Sequence, residues 1–457
     1  MALLEHPAAS LEEYSASGGG EGLRRALSLS PDQVIEEIAA SGLRGRGGGG
    51  FPTGEKWDAI RRYGTGVRYV VCNGAEGEPA TFKDRTLLRS NPYRILEGIS
   101  IAAYAVGAER AFVGLKASFG VEAAAVERAK EEMEAAGMLA VPVELILGPD
   151  HYLLGEETGL LEAVEERLPL PRMARPYVLG LYARPPNENP TLVNNVETLA
   201  NVPLILKRGG TWFRESGTED SPGTMVFTIA GDVQREGVFE YPLGTPLREL
   251  IEGAAGGLRE GRAAKVVFPG SSNTVLVPEQ LDTPLDFESM RAVGSGLGAG
   301  GFAVYDDSTC IVEVARLFCR FLHVESCAQC PPCKLNSADI LQVLERLDRG
   351  DDPGELDLAL ARARTVTDGQ KCALPTGTSL LMQSLLLTFE DEIARHRGSE
   401  CANRRGLILP KVVDLDTGAG RFLYDEGYAA KQPDWTYTSE AAEAINVEPL
   451  VEKRGSE

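Results

Sequence analysis

Cysteines 327, 330 and 333 stand three residues apart in E-S-C-A-Q-C-P-P-C-K, and a fourth, Cys372, follows downstream in Q-K-C-A-L-P. Three thiolates at that spacing wrap one corner of an iron–sulfur cube, and a distant fourth closes it. The demand on the fold is severe. One turn must aim Cys327, Cys330 and Cys333 at a single point, and a separate element must bring Cys372 there. Zinc is the main competitor, although its sites usually come as two separated C-x-x-C pairs. A disulfide or a purely structural role is the remaining alternative. The expectation is a [4Fe–4S] cluster on these four cysteines, with electron transfer as the chain's business.

At 457 residues the chain has room for two to four domains. Its formal net charge of −21, from 67 acidic and 46 basic residues, argues against binding nucleic acid or an anionic membrane surface. No apolar run is long enough to span a bilayer, so direct membrane insertion is not expected. The start, M-A-L-L-E-H-P-A-A-S, lacks a basic end followed by an apolar stretch, so no signal peptide is expected. Eight cysteines, four of them in one 3+1 set, suit a reducing compartment and a cytoplasmic location. Cys72, Cys310, Cys319 and Cys401 are scattered and read as buried free thiols.

Residues 1–30 read as a polar, Gly-rich lead. Ser30-Pro31-Asp32-Gln33 is a helix start, with a serine cap, proline in the first turn and glutamine three residues after the cap. Gly42 can end that helix. Between 67 and 147 apolar strand-like runs (67–72, 111–115, 141–147) alternate with helical text (91–106, 121–135), which predicts a parallel α/β sheet. Residues 169–191 read as an irregular, Pro-rich crossing, and Asn194-Asn195-Val196-Glu197-Thr198 as the opening of a helix. From about 222 to 300 a small α+β domain is expected. Beyond Ser308 the text turns helical, with Ile311, Ala315, Phe318 and Leu322 on one face. A second long helix is expected over 380–396, and the tail from about 400 reads as irregular.

Three further segments carry chemistry. L-R-G-R-G-G-G-G-F-P-T-G-E-K-W (43–57) lets backbone N–H groups crowd around a phosphate, with Arg46 and Lys56 as flanking cations. Its Gly45-x-Gly47-x-x-Gly50 spacing matches the dinucleotide fingerprint, but a capped helix precedes it rather than a strand. A flexible linker is the alternative. C-N-G-A-E-G-E-P (72–79) follows a strand, where α/β sheets place ligands, so Asn73, Glu76 and Glu78 can accept hydrogen bonds there. A solvated acidic turn is the bland alternative. In Y-L-L-G-E-E-T (152–158) the glutamate pair reads equally as an acid/base pair or as a helix start. His151 and His323 read as structural.

These four segments, together with V-N-N-V-E-T-L-A-N-V-P (193–203), resemble in order the flavin-carrying, NADH-oxidising subunit of respiratory complex I and the related subunits of NAD-linked formate dehydrogenases and hydrogenases. The resemblance runs from about residue 10 to 400. It implies an α/β fold: a Rossmann-like FMN domain (1–221), a small β-grasp domain of the soluble-ligand-binding (SLBB) type (222–300), a helical [4Fe–4S] domain (301–400) and a tail (401–457). By position, it implies that Gly45, Arg46, Gly47, Gly48 and Lys56 surround the FMN phosphate and ribityl. Asn73, Glu76, Tyr152, Gly155, Glu156, Asn194, Asn195 and Thr198 complete the flavin pocket. Glu157 is the carboxylate beside flavin and nicotinamide, the one residue assigned a catalytic role, and Phe51 and Glu78 are NADH contacts. The cofactors implied are FMN, a [4Fe–4S] cluster and NADH.

The chain departs from the family pattern at Ala75 (usually aspartate), Ala59 (usually aromatic), Ala174 (usually lysine) and Tyr177 (usually phenylalanine). These changes fall mainly on the nicotinamide side, so NADPH or a protein donor stays open as an alternative. A non-catalytic, metal-containing scaffold is a second one. Some relatives fuse a [2Fe–2S] module at the N-terminus; here none is evident, so a separate [2Fe–2S] subunit and a larger acceptor subunit are the expected partners.

Overall fold

The computed structural model describes residues 3–435, apart from 64, 65, 185, 353, 355, 400 and 402. The apolar runs of the first half form parallel strands β1 (Tyr69–Asn73), β2 (Arg110–Lys116) and β3 (Val143–Gly148), as expected from the alternation. A fourth, β4 (Thr191–Asn195), lies where the text reads as a helix start. Its helix begins one residue later and runs over Val196–Arg208, with Asn195 as the cap. The sheet order is β3-β2-β1-β4. The helix Pro92–Val106 is buried along almost its whole length, because it packs between the sheet and the outer helices.

Ser30 and Gln33 form the expected capping box, and Gly42 ends that helix in the left-handed region at φ 71°. The lead is more ordered than its composition predicts. Leu11–Ala16 and Glu21–Leu27 are helices. The buried Glu97 carboxylate gathers them in, accepting from the N–H groups of Gly20 and Leu23 at 2.7 Å and from the Tyr14 hydroxyl.

A second sheet has the order β6-β5-β8-β7, from β5 (Thr224–Gly231), β6 (Gly237–Pro242), β7 (Ala264–Pro269) and β8 (Gly301–Asp306). The boundary placed at residue 300 therefore moves to about 306, since β8 pairs in the interior of this sheet with both β5 and β7. The helices Ile311–Glu325, Pro331–Asp348, Leu356–Thr365 and Leu374–Thr388 then form the bundle. The helix expected over 380–396 starts earlier, at Leu374, and breaks before Glu390–Arg395. Among the described residues no helix is long and apolar enough to cross a membrane.

Within its described residues the tail is not irregular. β9 (Val412–Asp416) and β10 (Arg421–Tyr424) make an antiparallel hairpin. It is tied to the first domain by Arg89–Asp414 at 2.6 Å, and to the second where the Phe422 N–H donates to Glu236 at 2.8 Å. Lys431, fully buried, reaches Glu325 of the bundle at 2.8 Å and the Asp150 carbonyl at 3.1 Å. Burial opposes charge on Asp150, but Lys411, Lys116 and Lys431 outweigh it and hold the carboxyl well below its usual range. Lys431 and Lys411 do the same for Glu325. Depressed carboxylates stabilise above their unfolded pKa, near 4, and lose that contribution as pH falls. The tail should therefore become protease-sensitive below about pH 4 before the rest unfolds, and Asp150→Asn should flatten that acid dependence. Cleavage patterns at about pH 5 and about pH 3, on either side of the unfolded value, would check it.

Candidate functional site

Asn73 of β1 pairs in register with Asn195 of β4. The chain leaves β1 towards β2 and β3 and returns on the other side for β4, so the carboxyl ends of β1 and β4 flank the switch point where open α/β sheets bind ligands. A cleft of about 410 Å³ opens there. Its walls come from Gly47–Gly49, from Asn73 and 75–78, from Tyr152, Gly155 and Glu156, and from Asn195. Ser272, Asn273, Gly298 and Ala299 of the second domain close one side, and 372–374 of the bundle close another.

The Gly-rich loop runs between two helices, Pro31–Ser41 and Thr53–Arg62, rather than after a strand. Gly48 (φ 109°) and Gly50 (φ 59°) are in the left-handed region, and a Cβ on Gly50 would lie 2.5 Å from the Phe287 ring. A Cβ on Gly47 would press on Asn195 at 3.1 Å, while Gly49 faces open space. Bare backbone therefore lines the cleft. Among the described residues no lysine or arginine does so, whereas Glu76, Glu78, Asp84 and Glu156 do. An anionic group bound here would be met by N–H groups and by the start of the helix Val196–Arg208.

Each carboxylate is held by its own donors. Glu76 accepts from the N–H groups of Lys83, Asp84 and Arg85 at 3.0–3.3 Å. Burial, with Asp84 adding to it, still pushes it up to about 7. Glu78 accepts from Ser271 N–H at 2.9 Å, and burial raises it too. Glu156 caps the helix Glu157–Val164, accepting from Thr158 and Gly159 N–H at 2.9 and 2.8 Å; burial raises its pKa. Asn73 donates to the Gly155 carbonyl at 2.8 Å. The half-buried Tyr152 hydroxyl lies 3.5 Å from Ser272 Oγ.

Other residues singled out in the sequence stand behind or beside the cleft. Arg46 is fully buried and donates to the carbonyls of Arg44, Pro222 and Thr224; burial draws it down to about 10. Thr198 accepts from Arg46 N–H at 2.9 Å, Asn194 from the Trp57 indole at 2.8 Å, and Gly45 N–H donates to the Phe51 carbonyl. Phe51 is exposed. Lys56 and Arg175 pair with Glu157 at 3.2 and 3.6 Å. Lys83, unremarked in the sequence, is fully buried against Asp84 (2.7 Å), Glu197 (2.9 Å) and Asn195 (3.1 Å). The Gly-rich run 294–301 also escaped sequence reading, although its composition was the signal that would have found Gly298 and Ala299.

The four cysteines converge. Cys327, Cys330, Cys333 and Cys372 line one small cavity with Leu153, Ser326 and Leu374. Cys330 precedes the helix Pro331–Asp348, Cys333 lies in its first turn, and Cys372 sits just before Leu374–Thr388. Two helix starts therefore point positive dipole ends at the sulfurs. The Ser326 hydroxyl is 3.2 Å from Cys333 Sγ, and Gln329 donates to Cys327 Sγ at 3.6 Å. Burial pushes the Cys333 and Cys372 thiols up to about 11 and about 12. Four cysteines on one cavity, at two helix starts, form a donor set that fits a cluster. The bare-glycine cradle of the cleft fits a flavin phosphate in the same sense.

Residues 38–204 match the family described as the Nuo51 FMN-binding domain, 226–269 the SLBB domain, and 313–396 the NADH-ubiquinone oxidoreductase-F iron-sulfur binding region. The second F-type subunit of the NADH-quinone oxidoreductase of Rhizobium meliloti (strain 1021) is 39% identical over 400 residues, covering 84% of this chain and 94% of that protein. The chain belongs to the family of F-type subunits of NADH-quinone oxidoreductases. The F-type subunit of Streptomyces coelicolor is likewise 39% identical, over 84% of this chain and 88% of that one. The NADP-reducing hydrogenase subunit HndC of Solidesulfovibrio fructosivorans is 35% identical, over 85% and 80%. Among solved structures, air-oxidised NAD+-reducing [NiFe]-hydrogenase aligns with a TM-score of 0.76 at 31% identity, over 86% of this chain and 67% of that one. As a member of this family the chain is an NADH-oxidising electron-input subunit with FMN and a [4Fe–4S] cluster. These matches favour NADH over the alternative donors and set aside a non-catalytic scaffold.

Proposed function

We propose that the cleft at the β1–β4 switch point is where FMN and NADH meet, and that Cys327, Cys330, Cys333 and Cys372 ligate the cluster beside it. One observation carries this reading: Leu153, Cys372 and Leu374 line both the cleft and the cysteine cavity. A single wall thus separates the two chambers, and one cluster ligand is part of it. FMN held in the cleft would supply hydride acceptance and one-electron release, and a cluster held by the four cysteines would supply one-electron acceptance.

The chain's own residues bind and orient. Gly47, Gly48 and Gly49 with the helix start after Asn195 receive the phosphate through N–H groups. Glu76, Tyr152, Gly155, Glu156 and Asn195 face the ribityl and ring, and Asn73 fixes the Gly155 carbonyl. Gly45, Arg46, Asn194 and Thr198 brace the loop from behind. Glu157, partnered by Lys56 and Arg175, stands beside the nicotinamide, and Phe51 and Glu78 contact the dinucleotide.

Glu78→Lys should raise the KM for NADH about tenfold or more, the worth of about 1.4 kcal/mol, while FMN stays bound. Steady-state NADH oxidation with an artificial acceptor and flavin content measured on the same preparation check it; an unchanged KM removes Glu78 from the substrate site. The partners fitting this role are a separate [2Fe–2S] subunit and a larger acceptor subunit, in a cytoplasmic assembly peripheral to a membrane. Co-purification from the native host, followed by cofactor analysis of what comes with the chain, tests that arrangement.

A further inference from the structure

Cys310, His396 and Cys401 form a second group of soft donors, remote from the cluster cysteines. Cys310 precedes the helix Ile311–Glu325, and Cys327 comes just after its other end. A helix of that length separates the two groups by about 22 Å. His396 follows the helix Glu390–Arg395, and Cys401 stands at the root of the tail. Their ligand atoms all lie within 4.8 Å of one another. The start of the first bundle helix is thus brought to the same point as the end of the bundle and the first residues of the tail.

The hydrogen bonds around the group orient it. His396 Nδ1 lies 2.9 Å from the Glu392 carbonyl oxygen. A carbonyl only accepts, so Nδ1 carries the proton and donates. That leaves the Nε2 lone pair facing Cys310 Sγ, 3.2 Å away. A backbone carbonyl fixing one imidazole nitrogen while the other is free to ligate is the usual arrangement behind a metal-bound histidine. The Asn403 N–H donates to Cys401 Sγ at 3.3 Å, a bond that supports a thiolate. Cys310 and His396 are buried and Cys401 is half-buried.

We propose that Cys310, His396 and Cys401 bind one zinc ion. Two thiolates and an imidazole suit zinc in both softness and geometry, and water entering beside Cys401 would complete a tetrahedron. The Glu392 carboxylate, which accepts from the Ile311 N–H beside Cys310 at 2.9 Å, is held by Lys265 at 2.7 Å, so it does not compete for the fourth position. Binding replaces two S–H protons, released to solvent, with two metal–sulfur bonds; no electron moves. The ion ties the start of the first bundle helix, the end of the bundle and the root of the tail together.

The test uses the full chain, purified anaerobically without chelators with flavin and iron in place. Zinc and iron are counted by mass spectrometry of the metals. Wild type should hold one zinc per chain in addition to iron. Cys401→Ser should lose the zinc and keep iron and flavin, whereas Cys330→Ser should lose iron and keep the zinc. Zinc K-edge absorption of wild-type protein, which depends on no variant folding, should show mixed sulfur and nitrogen ligands. Four results overturn the proposal: wild type free of zinc after equilibration with zinc salt, an all-sulfur shell, zinc retained by a folded Cys401→Ser, or a Cys310–Cys401 disulfide in the anaerobic protein.

Discussion

Cys330→Ser protein should emerge from anaerobic purification yellow but with its cluster iron lost. The residue sits at the mouth of a helix start and is nearly buried among three other sulfurs. A serine hydroxyl is a hard, weakly acidic donor and does not replace a thiolate on iron. FMN should stay, because the walls of its cleft come mainly from the first two domains. The electron paramagnetic resonance signal of the reduced cluster should vanish, and transfer to an iron–sulfur partner should fall by at least about a hundredfold, the scale on which loss of a preorganised catalytic element is felt. Direct reduction of a small acceptor from the flavin should persist. A cluster that survives intact would mean the ligands have been misassigned.

Lys83→Met should be the most damaging change outside the cysteines. Burial alone would lower the lysine's pKa, but Asp84, Glu197 and Glu76 outweigh it and raise it above the usual range. Removing the ammonium leaves Asp84, at the cleft, and the fully buried Glu197 without their shared partner. Breaking a buried pair in this way costs about 3–5 kcal/mol. Asn195 would also lose a donor directly beneath the cleft. Chemical denaturation should show the loss of stability, and the flavin should wash out more readily from whatever protein remains folded. A midpoint unchanged from wild type would show that the carboxylates find other partners.

Lys83 also marks the limit of what the sequence makes legible. Nothing local in K-D-R marks Lys83 as buried, and only the tertiary fold turns it inward beside Asn195. Arg46 is a similar case. Its place in a glycine run suggests a phosphate ligand, yet its guanidinium turns inward to three carbonyls that come together only when the second domain docks. Local signals fared better. The Ser30–Gln33 capping box, the Asn91–Pro92 helix start and the strand runs of β1 to β3 are written in neighbouring residues, and they are where the text places them. β4 was hidden because it is a short edge strand buried on both faces, which needs no alternation, and its last residue, Asn195, doubles as a helix cap. The convergence of the four cysteines followed from their spacing. The shared wall between cleft and cysteine cavity did not, because it depends on how the 372–374 turn meets Leu153.

The hairpin at 412–424 is bonded to both the first and the second domain, yet it is among the last described parts to be synthesised. Domains emerge and fold in order from the N-terminus. A nascent chain therefore has its flavin cradle and four sulfurs in hand before Lys431 can reach Glu325 and Asp150. The order of synthesis thus makes the cofactor-binding parts available before the segment 412–431 ties the domains to one another.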